Sequence, residues 1–176
     1  MALVLPKTLT AGQPENVNDL NSNLNYLATQ IDTINAATPY FRAYRSADVS
    51  YATGATVIFN TETDPNGWYD NATGVFLPTT AGMYRVSWGL GLAESFTANK
   101  WLWASLLTGG GAARASSAYA FQVDTGVPLN TVGTTLVAMN GTTDSLHVSV
   151  AHNKGSAASV VGSSSLSYFE ANRVGV

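Results

Sequence analysis

Two histidines and a scatter of carboxylates are the residues of this chain best equipped for chemistry. His147 alternates with Leu146 and Val148, so it points away from the apolar face of its strand. A metal held by His147 and His152 would need a further ligand such as a carboxylate. None stands at motif spacing. Asp64, Asn66, Asp70 and Asn71 crowd one stretch, and oxygen-rich loops can hold calcium. Their spacing is not that of an EF-hand. Asp and Asn also fill turns by bonding nearby backbone N–H groups, and turn capping is the reading adopted here. Glu62, Asp64, Asp124, Asp144 and Glu170 fall in different segments, so nothing pairs two of them for glycosidic acid–base work. No G-x-S-x-G elbow occurs. Gly109-Gly110-Gly111 lacks the Lys-Ser/Thr of a phosphate loop. With no cysteine, thiol catalysis and thiolate metal sites are excluded. The expectation is a protein that is not an enzyme, with no cofactor and no metal. What remains is aromatic. Trp68, beside a turn, is the side chain to test for ligand contact. Trp88 reads as core, and Trp101 and Trp103, on one strand face, read as a core between subunits.

Composition narrows the partners. The 176 residues are 45% hydrophobic but only 11% charged, against about 25% charged in ordinary soluble proteins. The polar surface therefore comes from Ser, Thr, Asn and Gly. Formal net charge is −3, and the eight basic residues do not cluster. Nucleic-acid binding by counterion release needs such a cluster, and is not expected. The opening MALVLPKTLTAG holds one short apolar run, Ala2 to Leu5, unlike a signal peptide, and no run reaches transmembrane length. No membrane partner is expected.

Three segments must position these residues. Residues 1–13 read as an extended arm whose apolar side chains, Leu3, Val4, Leu5 and Leu9, either fray or dock on another protein. Residues 14–38 read as a helix that stops before Pro39. Val17, Leu20, Leu24, Leu27, Ile31 and Ile34 follow at spacings 3, 4, 3, 4, 3, an a/d seam with no polar interruption. The stripe is narrower than that of a helix packed on its own domain, and the remaining positions are Asn-rich (Asn16, Asn18, Asn21, Asn23, Asn25), which suits solvent. A short coiled coil is expected, one that needs support from a domain that itself associates.

Residues 39–176 read as strands throughout. Expected strands are Phe41–Ser46, Thr56–Phe59, Met83–Ala93, Trp101–Leu107, Ser117–Val123, Val132–Met139, Leu146–Ala151 and Leu166–Val174. In the clearest, Tyr84, Val86, Trp88, Leu90 and Leu92 share one face. Trp101 to Leu107 is apolar on both faces, which predicts burial on both sides. Gly109 to Ala115 reads as a mobile loop, and Asn140-Gly141 as a hairpin turn. The fold class is all-β: an antiparallel jelly-roll sandwich of about ten strands after one coiled-coil helix.

The run from Phe59 to Tyr84 carries a more specific pattern: F-N, then Y-D, then T-G-x-F, P and A-G-x-Y. The positions are Phe59, Asn60, Tyr69, Asp70, Gly74, Phe76, Pro78, Gly82 and Tyr84. It resembles the globular head of the complement q subunit and the wider tumour-necrosis-factor-like jelly rolls, over roughly Tyr40 to Val174. Toward the C-terminus the family's S-x-F-x-G is replaced, with Leu166 for the Phe and Tyr168 for the Gly. The resemblance implies a homotrimer whose apolar strand faces meet around a threefold axis. LTAGQPENVNDLNSNLNYLATQIDTIN is in addition similar to N-terminal anchors of bacteriophage fibre and head-decoration proteins. That similarity implies a virion-surface protein, its arm on a capsid or tail protein and its jelly roll outward. A receptor-binding tip for a host surface glycan is the alternative.

Overall fold

The computed structural model describes residues 17–36, 40–93, 100–121 and 129–175, with side chains at 17–29, 40–93, 100–116 and 129–175. The chain divides into two units, Met1–Thr38 and Pro39–Val176. In the first, α1 (Val17–Ala36) contains the heptad stretch. The arm with Leu3, Val4, Leu5 and Leu9 lies outside the described residues, as do the side chains of Ile31 and Ile34.

Thirteen short strands are described in the second unit: β1 (Tyr40–Tyr44), β2 (Val49–Tyr51), β3 (Ala55–Thr56), β4 (Thr61–Thr63), β5 (Tyr69–Asp70), β6 (Val75–Phe76), β7 (Gly82–Gly91), β8 (Lys100–Thr108), β9 (Ala113–Phe121), β10 (Asn130–Met139), β11 (Leu146–His152), β12 (Ala158–Val160) and β13 (Tyr168–Gly175). One sheet runs β10-β7-β13-β1-β4 and a second β5-β6-β11-β8-β9, with β3 added beside β11. β12 and β2 form a small third pair. All pairings are antiparallel. This is a jelly roll.

The core explains the signature run. Phe41 stacks on Phe76 at 4.4 Å and on Tyr69 at 5.2 Å, and meets Phe169 edge-on at 4.9 Å. Phe59, Tyr84 and Trp88 are also buried there, with Leu90, Leu102, Leu106 and Val148. Offset and edge-on rings add to the burial of their area. The alternation expected for β7 holds, since Tyr84, Val86, Trp88 and Leu90 face inward. Gly74 closes the Asp70 turn at φ 77, where a Cβ would press on the Val57 carbonyl.

Several local expectations are overturned. Of the expected strand Thr56–Phe59 only Thr56 lies in one (β3), because side chains take up backbone groups of Ile58 and Phe59. The Tyr69 hydroxyl accepts the Phe59 N–H at 3.0 Å, and Arg45 donates to the Ile58 carbonyl at 2.7 Å. Asn140-Gly141 is not a hairpin: β10 and β11 lie in different sheets. The Asn140 Oδ1 accepts the N–H groups of Thr142, Thr143 and Asp144, and so builds a wider turn that carries the chain across. Gly109–Ala115 is not a long loop either. The β8–β9 hairpin turns over residues 109–112, closed by the Thr108 N–H on the Ala112 carbonyl at 2.9 Å. Leu166 lies in a turn before β13, where Ser167 N–H donates to the Ser163 carbonyl at 2.9 Å.

Candidate functional site

The turns at 64–74 hold the carboxylates that a cation would need. Asp64 accepts the N–H groups of Asn66 at 3.1 Å and Tyr69 at 2.6 Å. Asp70 accepts the Ala72 N–H at 2.8 Å and the Thr73 hydroxyl at 2.7 Å. These bonds lower the Asp70 pKa, the hydroxyl most and the Ala72 amide next. Glu62 nearby is pushed up, first by desolvation and then by the charges of Asp64 and Asp70. The geometry is that of turn capping. His147 and His152 fall on opposite faces of β11, so they do not converge. Among the described residues, no three His, Cys, Asp or Glu side chains group as a metal site would require. Among them, too, no helix is long and apolar enough to cross a membrane.

Trp68 belongs to the core. It is only 8% exposed, donates its Nε1–H to the Thr79 hydroxyl at 2.9 Å, and meets the Tyr84 ring at 6.3 Å. Its edge reaches a cleft of about 520 Å³ with Asn66, Asp70, Val75 and Leu77. Ligand contact at Trp68 would therefore be made by the part of the ring that lines this cleft, with the Nε1–H already engaged by Thr79.

Exposed apolar side chains gather instead on three surfaces. The first is the seam of α1. Val17, Leu20 and Leu24 are exposed and Leu27 is half-buried. Asn23, expected in solvent, is buried.

The second is the outward face of the five-stranded sheet. Register places Tyr40, Arg42 and Tyr44 of β1, Tyr168, Glu170 and Asn172 of β13, Met83, Arg85 and Ser87 of β7, and Val132, Thr134 and Leu136 of β10 on it. Its middle is a polar ladder. Arg42 pairs with Glu170 at 2.9 Å and lies 5.3 Å from the Tyr168 ring centre, and Arg85 bonds Asn172 at 3.2 Å. Exposed apolar groups flank the ladder: Tyr40, Met83, Val132 and Leu136, the last 61% exposed.

The third is the outward face of β8. Leu102, Ala104 and Leu106 point into the core, while Trp101, Trp103, Ser105 and Leu107 point out. The expected burial on both sides is absent within one chain, because the five-stranded sheet packs only against the inner face of β8. Trp103 is 46% exposed, and Trp101 is partly so. Their ring centres are 5.6 Å apart. In the sequence only Ser105 marks this face off from Leu102, Ala104 and Leu106, too slight a signal to tell the outward face from the inward one.

No protein-family model and no curated protein sequence matches the chain. Solved structures do. The Eiger TNF of S. frugiperda superposes with a TM-score of 0.61 at 12% identity, covering 78% of this chain and 92% of that one. The globular domain of zebrafish complement 1qA gives 0.60 at 15% identity, covering 78% and 97%. Murine APRIL at pH 5.0 gives 0.56 at 9%, covering 78% and 99%. The likeness to TNF and complement 1q heads lies in the fold, and residues 39–176 are a jelly roll of that kind.

Proposed function

We propose that the chain is a homotrimeric structural protein of a bacteriophage particle, a capsid-decoration or short head-fibre protein. Its arm at residues 1–13 anchors it to a capsid or tail protein, and the jelly roll projects outward at the virion surface. The observation that carries the self-association is the apolar surface left open in a single chain: the α1 seam and the flanks of the five-stranded sheet. A seam this short is marginal alone, and a domain that associates through its own sheet supplies the missing support. The similarity of the N-terminal segment to phage anchors, and a surface of Ser, Thr and Asn rather than charge, support the virion setting.

The test has two parts. Sedimentation at micromolar concentration should give a trimer, and a monomer would remove the reading. A chain lacking residues 1–13 should still form trimers but no longer join particles; retained incorporation would reject the anchor.

The second reading is a receptor-binding tip that recognises a host surface glycan, favoured by the exposed Trp103. Copy number separates the two. Dozens of trimers per particle fit decoration, and a handful fits a tail tip.

A further inference from the structure

We propose that Trp101 and Trp103 form a stacking site for the apolar face of a neutral hexose chain. The inference rests on the second reading, that the protein meets a host surface glycan, and locates where it would do so.

The strip is open by construction. In register, Trp103 stands between Ala118 of β9 and Ala151 of β11. Trp101 stands opposite Ala120, with Asn153 on its other side, where the Asn153 Oδ1 accepts the Trp101 N–H at 2.8 Å. Among the described strands, the register partners of Trp103 are residues no larger than alanine, so neither partner has a long side chain. An indole face with a polar rim matches a pyranose, which has one C–H face and a girdle of hydroxyls. The rim is present. The Ser105 and Ser116 hydroxyls pair at 3.0 Å, and each keeps capacity for another bond. His147, two register positions along β11 from Ser149, adds a ring nitrogen.

Charge chooses the class of polymer. The outward positions of β8 (101, 103, 105, 107) and β11 (147, 149, 151), and the β9 positions in register with β8 (116, 118, 120), hold no Asp, Glu, Lys or Arg. Lys100 donates to the Asn153 carbonyl at 2.9 Å. An acidic polysaccharide or a nucleic acid would find no cationic track here. Size argues against a second copy. At 46% exposure Trp103 presents roughly 100 Å², and a stable protein interface needs about 800 Å² per partner. The five-stranded sheet and the α1 seam each carry more exposed large apolar side chains.

The test uses the intact protein, titrated with maltohexaose, cellohexaose, mannohexaose and chitohexaose, with polygalacturonate and heparin as charged controls. One neutral hexaose should quench tryptophan emission saturably. Trp103→Ala should weaken that binding by about tenfold or more, the worth of one stacked ring, with the melting temperature and trimer unchanged. Trp103→Tyr should retain most of it, and Trp68→Phe should leave it alone. No response to any neutral hexaose, preference for a charged polymer, or binding that survives the Trp101→Ala/Trp103→Ala pair would overturn the site. So would dissociation of the trimer by Trp103→Ala, which would make the strip an interface between copies. Adsorption of labelled protein to host cells separates the two readings. Cell binding that survives the pair rejects the site and keeps the receptor reading. Hexaose binding without cell binding keeps the site and rejects the receptor reading.

Discussion

The indole of Trp88 lies over its cross-strand partner Gly133, so that a Cβ at 133 would fall on the six-membered ring at Cζ2, Cε2 and Cη2. The same ring donates its Nε1–H to the Ala104 carbonyl at 3.3 Å, which ties the two sheets together. Gly133→Ala must therefore displace a core ring anchored from the opposite sheet. We expect a loss of about 1–3 kcal/mol, typical of overpacking, read from urea midpoints at fixed protein concentration. Adding Trp88→Leu should bring no further loss of the size it causes alone. Strict additivity of the two changes would contradict the steric account.

Trp68 should behave as a core residue. Thr79→Val leaves the buried Nε1–H without its acceptor and should cost about 1–3 kcal/mol. Trp68→Ala should cost about 3–5 kcal/mol. Wild-type stability in Trp68→Ala would mean that the ring is not packed as described.

The acidic turns predict opposite pH effects. The pKa of Glu62 is raised above the ordinary 4.5, chiefly by desolvation. Its contribution is therefore present below that value and lost as pH rises through the folded pKa. Glu62→Gln should raise the urea midpoint at pH 7, and the gain should vanish below about pH 4. Asp70, held below its ordinary 3.8 by the Thr73 hydroxyl first, contributes stability above that value and loses it as pH falls through the lower folded value. Asp70→Asn should blunt the acid end of the profile.

His147 gives a third pH signal. Desolvation lowers its pKa from the ordinary 6.5. The unfolded chain thus binds the proton first, and stability falls as pH drops below 6.5. His147→Gln should flatten the curve below about pH 6.5. An unchanged slope would show that the ring is fully solvated.

Charges on the open sheet should separate the copies. Val132→Glu with Leu136→Glu places like charges around the proposed axis and should weaken the trimer by about 100-fold or more. The strand signal in circular dichroism should stay, because both side chains lie outside the core. A trimer of undiminished affinity would move the interface to another face.

Much of this was legible in the chain itself. The period-two alternation of β7 and the spaced aromatics from Phe59 to Tyr84 follow from one-sided burial, which leaves a direct trace in residue types. The Asn140 turn was misread because Asn-Gly marks a change of direction without naming the sheet that receives the next strand. The burial of Trp68 was not legible because it depends on Thr79, an acceptor that composition does not single out. The two faces of β8 look alike in hydrophobicity, and only the packing of its sheet decides which of them is inside.

The order β10-β7-β13-β1-β4 puts β13 in the centre of its sheet, with Tyr40 opposite Asn172 and Met83 opposite Gly175. β7 and β1, made long before β13, do not pair with each other and are joined in the sheet only through it. Such distant pairings fold slowly and leave earlier strands waiting with open edges. A chain truncated before Tyr168 would therefore have its five-stranded sheet split in two. Removing β13 thus also removes the strand on which both halves of that sheet depend.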